Sequence, residues 1–166
     1  EHAMAWRLAK SVGVQKVFVA PGNAGTAREH ELENINITDP EALADFAEQN
    51  KNHLTVVGPE APLAAGVVNV FRARGLKIFG PTREAAQLES SKDFAKRFMA
   101  RHNIPTAEFA TFSESTAAHA YIDRKGAPIV IKADGLAAGK GVVVAMTLNE
   151  AHAAIDDMLS GNKLGD

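Results

Sequence analysis

The stretch PIVIKADGLAAGKGVVVA, at positions 128–145, constrains the fold more than any other part of the chain. Its two ends are short apolar runs rich in valine and isoleucine, each bounded by turn residues, which is typical of β-strands. The loop between them has about eight residues, and most hairpin tips are shorter than this. We therefore predict a strand, a glycine-rich loop and a second strand, most simply arranged as one hairpin.

The chemistry of this loop favours an anion. It holds the glycines Gly135, Gly139 and Gly141, with Lys132 just before it and Lys140 within it. Without a Cβ, glycines let backbone N–H groups approach an anion closely, and the lysines add positive charge. The functional interpretation is a flap that closes over a polyphosphate. The alternative is a solvated hairpin loop in which the lysine has no ligand.

Two other kinds of phosphate-binding loop do not match the sequence. A P-loop has four residues between its glycines and a helix after its lysine. Here three residues separate Gly135 from Gly139, and a valine-rich strand follows Lys140. The dinucleotide fingerprint G-x-G-x-x-G, which opens a helix after a strand, does not occur in the chain. A redox dinucleotide-binding protein is therefore disfavoured.

The first 80 residues alternate short apolar runs with helical patterns. The helices are predicted at 1–11, from a capping box at Thr38 and Glu41 to about Asn50, and from the end of the stretch 58–62 to Arg74. This alternation is typical of an α/β fold with a doubly wound parallel sheet. The predicted strands are KVFVA (16–20), INI (35–37, the weakest), LTVV (54–57) and KIF (77–79).

Three loops follow strands of this predicted sheet, at the edge where doubly wound folds bind ligands. They are PGNAGT (21–26), GPEAP (58–62) and GPT (80–82). Turn formation alone explains GPT, because glycine and proline are turn residues. For PGNAGT, a small-molecule or phosphate site and plain turn chemistry both stay open. Glu60 has two interpretations, a hydrogen bond to a substrate hydroxyl or amine and a role in the first turn of a helix.

The second half of the chain has a different order of predicted helices and strands from the first. Helices are predicted at 85–103, 113–125 and, from a capping box at Thr147 and Glu150, to about Leu159, with a strand at 107–112. Lys92 lies near the start of the first of these helices, where a solvated face is the ordinary explanation. Together with the hairpin, these elements form a small α+β unit that we interpret as a lid. The predicted parts are an N-terminal α/β domain at 1–88, a connecting helix and strand at 89–112, and the lid at 113–166.

Composition excludes several classes of protein. The formal net charge is −2 over 166 residues, which does not favour a nucleic-acid or anionic-membrane partner. There are no cysteines, so disulfides and cysteine nucleophiles are excluded. No apolar run approaches the roughly 20 residues that span a bilayer. The six histidines show no metal-ligand spacing. The expected location is the cytoplasm.

Several stretches together resemble one family, and they occur in its order and approximate spacing. The sequence is similar to the glycinamide ribonucleotide synthetases (phosphoribosylamine–glycine ligases) of purine biosynthesis over nearly its whole length. PGNAGT, GPEAPL and IKADGLAAGKGV in this order are highly specific, whereas GPT alone means little. The matching stretches are EHAMAW, VFVAPGNAGTA, TVVGPEAPL, GLKIFGPT, AAQLESSKDFAKRFMARHNIPTA and APIVIKADGLAAGKGVVVA.

The resemblance implies a fold and a reaction. The fold would be an N-terminal α/β domain followed by the start of an ATP-grasp domain, whose small lid closes over the nucleotide. The enzyme would phosphorylate the carboxylate of glycine with ATP, and the amine of phosphoribosylamine would then attack the acyl phosphate. Positioning and charge stabilisation dominate such chemistry. The cofactors implied are ATP and Mg²⁺, with the metal ligands C-terminal to Asp166 and none in this segment.

The resemblance also implies roles for individual residues. Lys92 and Lys132 correspond to the two lysines that ATP-grasp enzymes direct at the nucleotide phosphates, which raises Lys92 above its ordinary explanation. The first two loops would help to hold phosphoribosylamine. The residues expected to bind ATP are Lys92, Lys132, Asp134, Gly135, Gly139, Lys140 and Gly141, and those expected to bind substrate are Gly22, Asn23, Gly25, Thr26, Gly58, Pro59 and Glu60.

The chain also departs from the family pattern. The family begins with a strand and a GGR turn before EHA and continues far beyond Asp166, so both ends look cut. We therefore expect the 166 residues alone to be inactive in ligation. The alternatives are another ATP-grasp carboxylate–amine ligase or carboxylase, against which PGNAGT and GPEAPL argue, and a non-catalytic nucleotide-binding module.

Overall fold

The computed structural model describes residues 1–136 and 141–159. The chain divides into two units, Glu1–Ala86 and Gln87–Asp166. Within the described ranges no helix is both long and apolar enough to cross a membrane. Gly139, Lys140 and the C-terminal residues 160–166 lie outside the described residues, and the predictions made for Gly139 and Lys140 stay predictions.

The first unit alternates helices with short strands, which confirms the predicted α/β class. Its strands have only two or three residues. The elements in order are α1 (His2–Ala9), β1 (Val17–Val19), a short 3₁₀ helix (Thr26–Arg28), β2 (Leu32–Asn34), α2 (Pro40–Gln49), β3 (Thr55–Val56), α3 (Glu60–Ala65), α4 (Val67–Ala73), β4 (Ile78–Phe79) and α5 (Arg83–Ser90), which crosses into the second unit.

All strand pairing described in this unit is parallel, as predicted, but it forms two separate pairs. Strand β1 pairs with β2, with Val17 opposite Leu32, and β3 pairs with β4, with Thr55 opposite Ile78. No ladder joins the two pairs within the described residues. Each pair packs on its own helices, so one continuous doubly wound sheet is not what the described strands form.

Two cores account for this arrangement. The smaller one packs Ala5 of α1 against Val19 and Leu32. The larger one places Phe71 of α4, which is 1% exposed, against α2 and the second strand pair. A T-shaped contact between Phe18 of β1 and Phe46 of α2, with ring centroids 5.0 Å apart, joins the two regions. Burial of apolar side chains is the main stabilising contribution in such cores.

Three local predictions in this unit are wrong, and each has a physical reason. The weak strand predicted at 35–37 lies three residues earlier, at Leu32–Asn34, where Leu32 is buried. Helix α2 is capped by Asp39, whose carboxylate accepts from Ala42 N–H at 2.9 Å, and not by Thr38. Pro40 explains the shift, because the residue before a proline is driven to the extended conformation of an N-cap.

The helix predicted to reach Arg74 is broken into α3 and α4 at Gly66, which has a φ of +89°. This left-handed conformation favours glycine. The Arg83 guanidinium lies over Gly66 and donates to the carbonyl of Ala65 at 2.6 Å. Asn69 accepts from the Arg83 N–H at 2.8 Å. The break therefore creates the surface on which the start of α5 is held.

Arg74 joins the end of α4 to α2. Its guanidinium lies within 2.6–3.5 Å of the carboxylates of Glu41, Asp45 and Glu48. The hydrogen bond from Arg74 lowers the pKa of Glu48, against the opposing effect of burial. Hydrogen bonds to Glu48 and Asp45 raise the pKa of Arg74 further above its ordinary value. The network is a cross-link between two helices that pack on the larger core.

The second unit packs two helices on one face of the hairpin. The interior consists of Ala118 and Ile122 from helix α7 (Ser115–Lys125), Ala145 from strand β6 (Val142–Ala145), and Ala151 and Ile155 from helix α8 (Leu148–Leu159). The predicted hairpin is confirmed, with antiparallel pairing from Ile129 opposite Ala145 to Lys132 opposite Val142. The elements are α6 (Lys92–Arg101), α7 (Ser115–Lys125), β5 (Ile129–Lys132), β6 (Val142–Ala145) and α8 (Leu148–Leu159).

Capping and a histidine pair fix the helices of this unit. The predicted capping box of α8 is confirmed, because Glu150 N–H donates to Thr147 Oγ1 while Glu150 accepts from Thr147 N–H, both at 3.3 Å. His119 of α7 and His152 of α8 stack with ring centroids 4.7 Å apart and Nδ1 atoms 2.5 Å apart. Their Nε2 atoms donate to Asp156 and Asp123. These histidines join α7 to α8.

Two predictions for this unit are wrong. The helix predicted at 85–103 is two helices, because Ser91 adopts an extended conformation and caps α6. No strand forms at 107–112 within the described residues. Side-chain contacts hold this stretch against α6 instead, since Lys96 donates to the Ala107 carbonyl at 3.1 Å and Thr111 donates to Asp93 at 2.7 Å. The pattern of apolar residues did not reveal these polar contacts.

The two core assignments give a direct test of packing. We predict that Phe71→Ala lowers the free energy of unfolding by about 3–5 kcal/mol, because it leaves a cavity in the larger core. Phe79→Ala is the matched control, since Phe79 is 70% exposed, and it should cost less than about 1 kcal/mol. Urea unfolding followed by circular dichroism measures both. Equal losses for the two variants would contradict the assignment of Phe71 to the core.

The Arg74 network predicts a pH-dependent contribution to stability. Because the folded pKa of Glu48 lies below its ordinary value, the contribution is full above that ordinary value and is lost as pH falls through the lowered pKa. Arg74→Ala should therefore lower the melting temperature by a few degrees at pH 7 and by much less below about pH 4. Arg7→Ala, at the exposed end of α1, is the control. A deficit for Arg74→Ala that does not change with pH would contradict this account.

Candidate functional site

The loop after β1 is held by its own side chains. The Asn23 carboxamide oxygen accepts from the N–H groups of Gly25, at 2.8 Å, and Thr26, at 3.1 Å. The Thr26 hydroxyl accepts from Asn23 N–H at 2.8 Å. Thr26 is fully buried, at 0% exposure. Asn23 and Thr26, two of the predicted substrate residues, thus form an Asx-type turn that fixes the loop.

Asn34, at the end of β2, closes this loop from the neighbouring strand. It donates to the Asn23 carbonyl at 2.9 Å and accepts from the Thr26 hydroxyl at 2.7 Å. A Cβ added at Gly22 would lie 2.2 Å from Asn34, and Gly22 has a φ of +77°, so glycine is required there on both grounds. The sequence analysis did not single out Asn34, because only the strand pairing brings it to the loop.

Two donors of this loop stay available. Among the described residues, the backbone N–H groups of Gly22 and Ala24 have no hydrogen-bond acceptor. Gly22 is half-buried and Ala24 is exposed. Neighbouring backbone N–H groups of this kind can bind an anion. The loop can therefore meet a ligand with its backbone while Asn23 and Thr26 maintain its shape.

The second predicted loop meets the first at α1. A Cβ at Gly58 would lie 2.4 Å from Met4, and one at Gly25 would lie 2.8 Å from His2. Both loops are therefore packed against the first turns of α1. The His2 ring contacts Glu29 at 2.9 Å and so is held beside the first loop. His2 and Met4 are site neighbours that the predictions did not include, although the stretch EHAMAW contains both.

Glu60 lies in the first turn of α3, after Pro59 as N-cap. A carboxylate in this position is favoured by the helix dipole. Its side chain is exposed, and within the described residues it accepts no hydrogen bond. Glu60 thus has the role in the first turn of a helix that was one of its two interpretations, and its carboxylate oxygens stay available to a ligand.

In the second unit, the residues predicted to bind ATP meet at the start of α6. The carboxylate of Asp134, just after β5, accepts from the N–H groups of Lys92 at 2.6 Å and Asp93 at 3.2 Å. Its other oxygen accepts from the Ser91 hydroxyl at 3.0 Å. Ser91 in turn accepts from Phe94 N–H at 3.1 Å. The first three N–H groups of α6 therefore all have side-chain acceptors.

These contacts determine the charge state of Asp134. Partial burial acts to raise the pKa of its carboxyl, but the hydrogen bonds from the Asp93, Gly135 and Lys92 N–H groups and from the Ser91 hydroxyl outweigh it. The pKa therefore lies below its ordinary value. Asp134 was predicted to bind ATP, and the structure gives its carboxylate oxygens protein donors at the helix N-terminus.

The two lysines are held on linked elements. Lys92 is the first residue of α6, and its ammonium donates to the Gly135 carbonyl at 2.9 Å. Lys132 is the last residue of β5, and its ammonium has no partner among the described residues. Asp134 and Gly135 follow Lys132 directly in the chain. Lys92 and Gly135, two of the predicted phosphate ligands, are thus in contact, and Lys132 ends the strand that leads into this contact.

One face of the hairpin is apolar and exposed. Val130, Val142 and Val144 are 46%, 43% and 63% exposed, and the strand register places Lys132 on the same face. The opposite face packs on α7 and α8. Where the second strand begins, buried Gly141 accepts from Ala133 N–H at 2.8 Å. Gly141 therefore closes the hairpin ladder, which gives this glycine a structural role.

Within the described ranges no group of three or more His, Cys, Asp or Glu side chains could hold a metal ion. The Nε2 atoms of the histidine pair of α7 and α8 are hydrogen-bonded to Asp123 and Asp156. Mg²⁺ ligands are therefore not assigned to any described residue.

Comparison with known families and proteins matches both units. Residues 1–89 match the model described as "Phosphoribosylglycinamide synthetase, N domain", and residues 90–166 match "Phosphoribosylglycinamide synthetase, ATP-grasp (A) domain". Proteins named phosphoribosylamine–glycine ligase are 72% identical in Ralstonia nicotianae and 69% identical in Neisseria meningitidis, over the whole of this chain. The chain spans 39% of the length of these curated relatives.

Solved structures agree on the fold. The crystal structure of the phosphoribosylamine–glycine ligase of Thermotoga maritima matches with a TM-score of 0.69 and 33% identity, over 92% of this chain and 35% of that one. The biotin carboxylase domain of the Hydrogenobacter thermophilus 2-oxoglutarate carboxylase, in complex with MgADP, ADP and bicarbonate, matches with a TM-score of 0.70 over 96% of this chain and 40% of that one. At 18% identity the second likeness shows the fold alone.

The family models, the identities of the relatives and the likeness to solved structures agree with one another and with the motifs of the sequence. The chain belongs to the phosphoribosylglycinamide synthetase family.

Proposed function

We propose that this chain is part of an ATP-dependent ligase that joins glycine to 5-phosphoribosylamine in the cytoplasm. A glycine carboxylate oxygen attacks the γ-phosphorus of ATP, and ADP leaves. The amine nitrogen then attacks the acyl carbon of glycyl phosphate and loses a proton, and inorganic phosphate leaves. The observation that carries this proposal is family membership over both units, with relatives of that name 72% and 69% identical.

The second unit supplies what a nucleotide requires. Lys132 lies among exposed valines on one face of the hairpin. The nucleobase of ATP can therefore pack on this apolar surface while the Lys132 ammonium contacts a phosphate. Lys92 adds a second ammonium beside the base of the glycine-rich loop. Ammonium groups bind phosphate oxygens through charge-assisted hydrogen bonds. We assign Lys92, Lys132 and the Gly135 backbone to the ATP phosphates.

The first unit supplies what phosphoribosylamine requires. The N–H groups of Gly22 and Ala24 suit its phosphate, because both lack a protein acceptor among the described residues. The exposed carboxylate of Glu60 suits a ribose hydroxyl or the amine. Asn23, Gly25 and Thr26 support the first loop through hydrogen bonds, and Gly58 and Pro59 place Glu60. The binding of ATP and the binding of phosphoribosylamine would thus depend on different units.

Mg²⁺ would neutralise charge on the transferred phosphoryl group. The family resemblance implies Mg²⁺ ligands C-terminal to Asp166, and the described residues hold no group of three or more His, Cys, Asp or Glu side chains that could bind a metal ion. This chain's own residues therefore contribute binding and orientation. Water must be kept from the acyl phosphate, which it would hydrolyse.

The reaction itself is tested on a full-length ligase that contains this segment. We predict that ADP release with Mg-ATP requires both glycine and freshly prepared phosphoribosylamine. Turnover with bicarbonate in place of glycine would contradict the substrate assignment and favour a carboxylase. Absence of ADP release with every acceptor would leave a nucleotide-binding module without catalysis and would contradict the ligase proposal.

The lysine assignment is tested by substitution in the same protein. Lys132→Ala and Lys92→Ala should each lower kcat/KM for ATP by about 10- to 100-fold, because each removes a charge-assisted hydrogen bond. KM for glycine should change by less than about 3-fold. Lys125→Ala is the matched control, since that ammonium pairs with Glu108 at the end of α7. A similar loss in all three variants would contradict the phosphate assignment.

A further inference from the structure

Asp134 joins two elements that are distant in the chain. Its carboxylate takes hydrogen bonds from the Lys92 and Asp93 N–H groups and from the Ser91 hydroxyl, across separations of 41–43 residues. The residue after it, Gly135, accepts from the Lys92 ammonium. The start of α6 and the end of β5 are therefore connected at four points.

Helix stability alone does not require such a distant partner. The N-terminus of α8 is capped within its own sequence, where Glu150 accepts from the Met146 N–H at 2.7 Å and Thr147 supplies the reciprocal bond. Ser91 already accepts from the Phe94 N–H in α6. What a residue from β5 adds is a fixed position of the helix relative to the strand, since it removes their freedom to shift apart.

The two residues at this junction are the candidate phosphate lysines. Lys92 presents the backbone N–H that makes the 2.6 Å hydrogen bond to Asp134. Lys132 is the last residue of β5 and lies two positions before Asp134. Any shift between α6 and β5 would therefore change the separation of the two ammonium groups. Preorganised groups bind a ligand more tightly because less freedom is lost on binding.

A carboxylate beside a phosphate site is unfavourable unless its charge is engaged elsewhere. At Asp134 that charge is engaged by the N-terminus of α6, where the helix dipole and the backbone N–H groups favour an anion. Like charge disfavours a direct contact between the Asp134 carboxylate and a nucleotide phosphate. Its contacts instead make it a structural connection between the lysines.

We propose that Asp134 is a positioning residue that fixes the Lys92 and Lys132 ammonium groups at the separation required by the ATP phosphates. This inference rests on the proposed use of ATP and deepens it. The sequence analysis predicted that Asp134 binds ATP directly. In this proposal it acts on ATP binding only through the two lysines. Ser91, which also contacts the carboxylate, supports the same connection.

The first test compares three variants of a full-length ligase that contains this segment. Asp134→Ala should raise the Kd for Mg-ATP and the KM for ATP by about 10-fold, because two long side chains must then be ordered on binding. The kcat at saturating ATP should fall by less than about 3-fold. Asp134→Asn keeps an oxygen that can accept from the Lys92 and Asp93 N–H groups, so it should recover most of the affinity.

Glu150→Ala is the control for a merely structural role. It removes the acceptor at the α8 N-terminus in the same unit without touching either lysine. It should lower the melting temperature as Asp134→Ala does, with less than about 2-fold change in the Kd for Mg-ATP. Equal changes in Kd for Glu150→Ala and Asp134→Ala, or an Asn variant as weak as the Ala variant, would overturn the proposal.

A double-mutant cycle separates action through Lys92 from independent action. If Asp134 acts through the lysine, the combined loss of affinity in Asp134→Ala/Lys92→Ala should be clearly smaller than the product of the two single losses. Losses that multiply would show that Asp134 contacts the nucleotide or its metal independently, and would overturn the proposal. Calorimetric titration with Mg-ATP measures each Kd.

The binding experiment also separates this proposal from the proposed reaction. If the wild-type enzyme binds Mg-ATP but does not join glycine to phosphoribosylamine, the ligase function fails, and the comparison of Kd values still decides the role of Asp134. If the wild-type enzyme binds no Mg-ATP, both proposals are overturned.

Discussion

The candidate nucleotide site depends on one hydrogen-bonded junction, between the carboxylate of Asp134 and the N-terminus of α6. A helix N-terminus needs acceptors, and an ionised carboxylate needs donors, so each satisfies the other. The hydrogen bonds lower the pKa of Asp134 and keep it charged, although burial opposes them. The junction connects Lys92 to the strand that carries Lys132. The separation of the two ammonium groups therefore depends on hydrogen bonds of the Asp134 carboxylate in which neither ammonium takes part.

The first unit follows the same physical logic with neutral groups. The side chains of Asn23, Thr26 and Asn34 satisfy one another and the loop backbone, and Thr26 is completely buried. The loop is thereby fixed while the N–H groups of Gly22 and Ala24 stay available. In both units, several side chains that look like ligands in the sequence support the shape of a loop or helix end. The groups left for a ligand are backbone N–H groups, lysine ammonium groups and the exposed carboxylate of Glu60.

Much of the fold could be predicted because it depends on local pattern. Apolar runs predicted the hairpin, and the Thr147–Glu150 spacing predicted the start of α8. Long-range contacts were not predictable: the pairing of Asn34 with the first loop and the capping of α6 by Asp134 join residues 11 and 42 positions apart. Local competition also misled prediction, since Pro40 moved the cap of α2 to Asp39 and Ser91 divided one predicted helix into two. Lys132 was found from the composition of the glycine-rich loop and Lys92 from the family motifs, whereas the residue proposed to position them required the structure.

The most direct test of this account is a crystal structure of a full-length ligase containing this segment with a bound, non-hydrolysable ATP analogue. The account predicts that the Asp134 carboxylate stays within hydrogen-bond distance of the Lys92 and Asp93 N–H groups, at about 2.7–3.2 Å. It also predicts that the ammonium groups of Lys92 and Lys132 both contact phosphate oxygens. A structure in which Asp134 leaves the α6 N-terminus to bind the nucleotide or its metal, or in which neither lysine reaches a phosphate, would contradict the account.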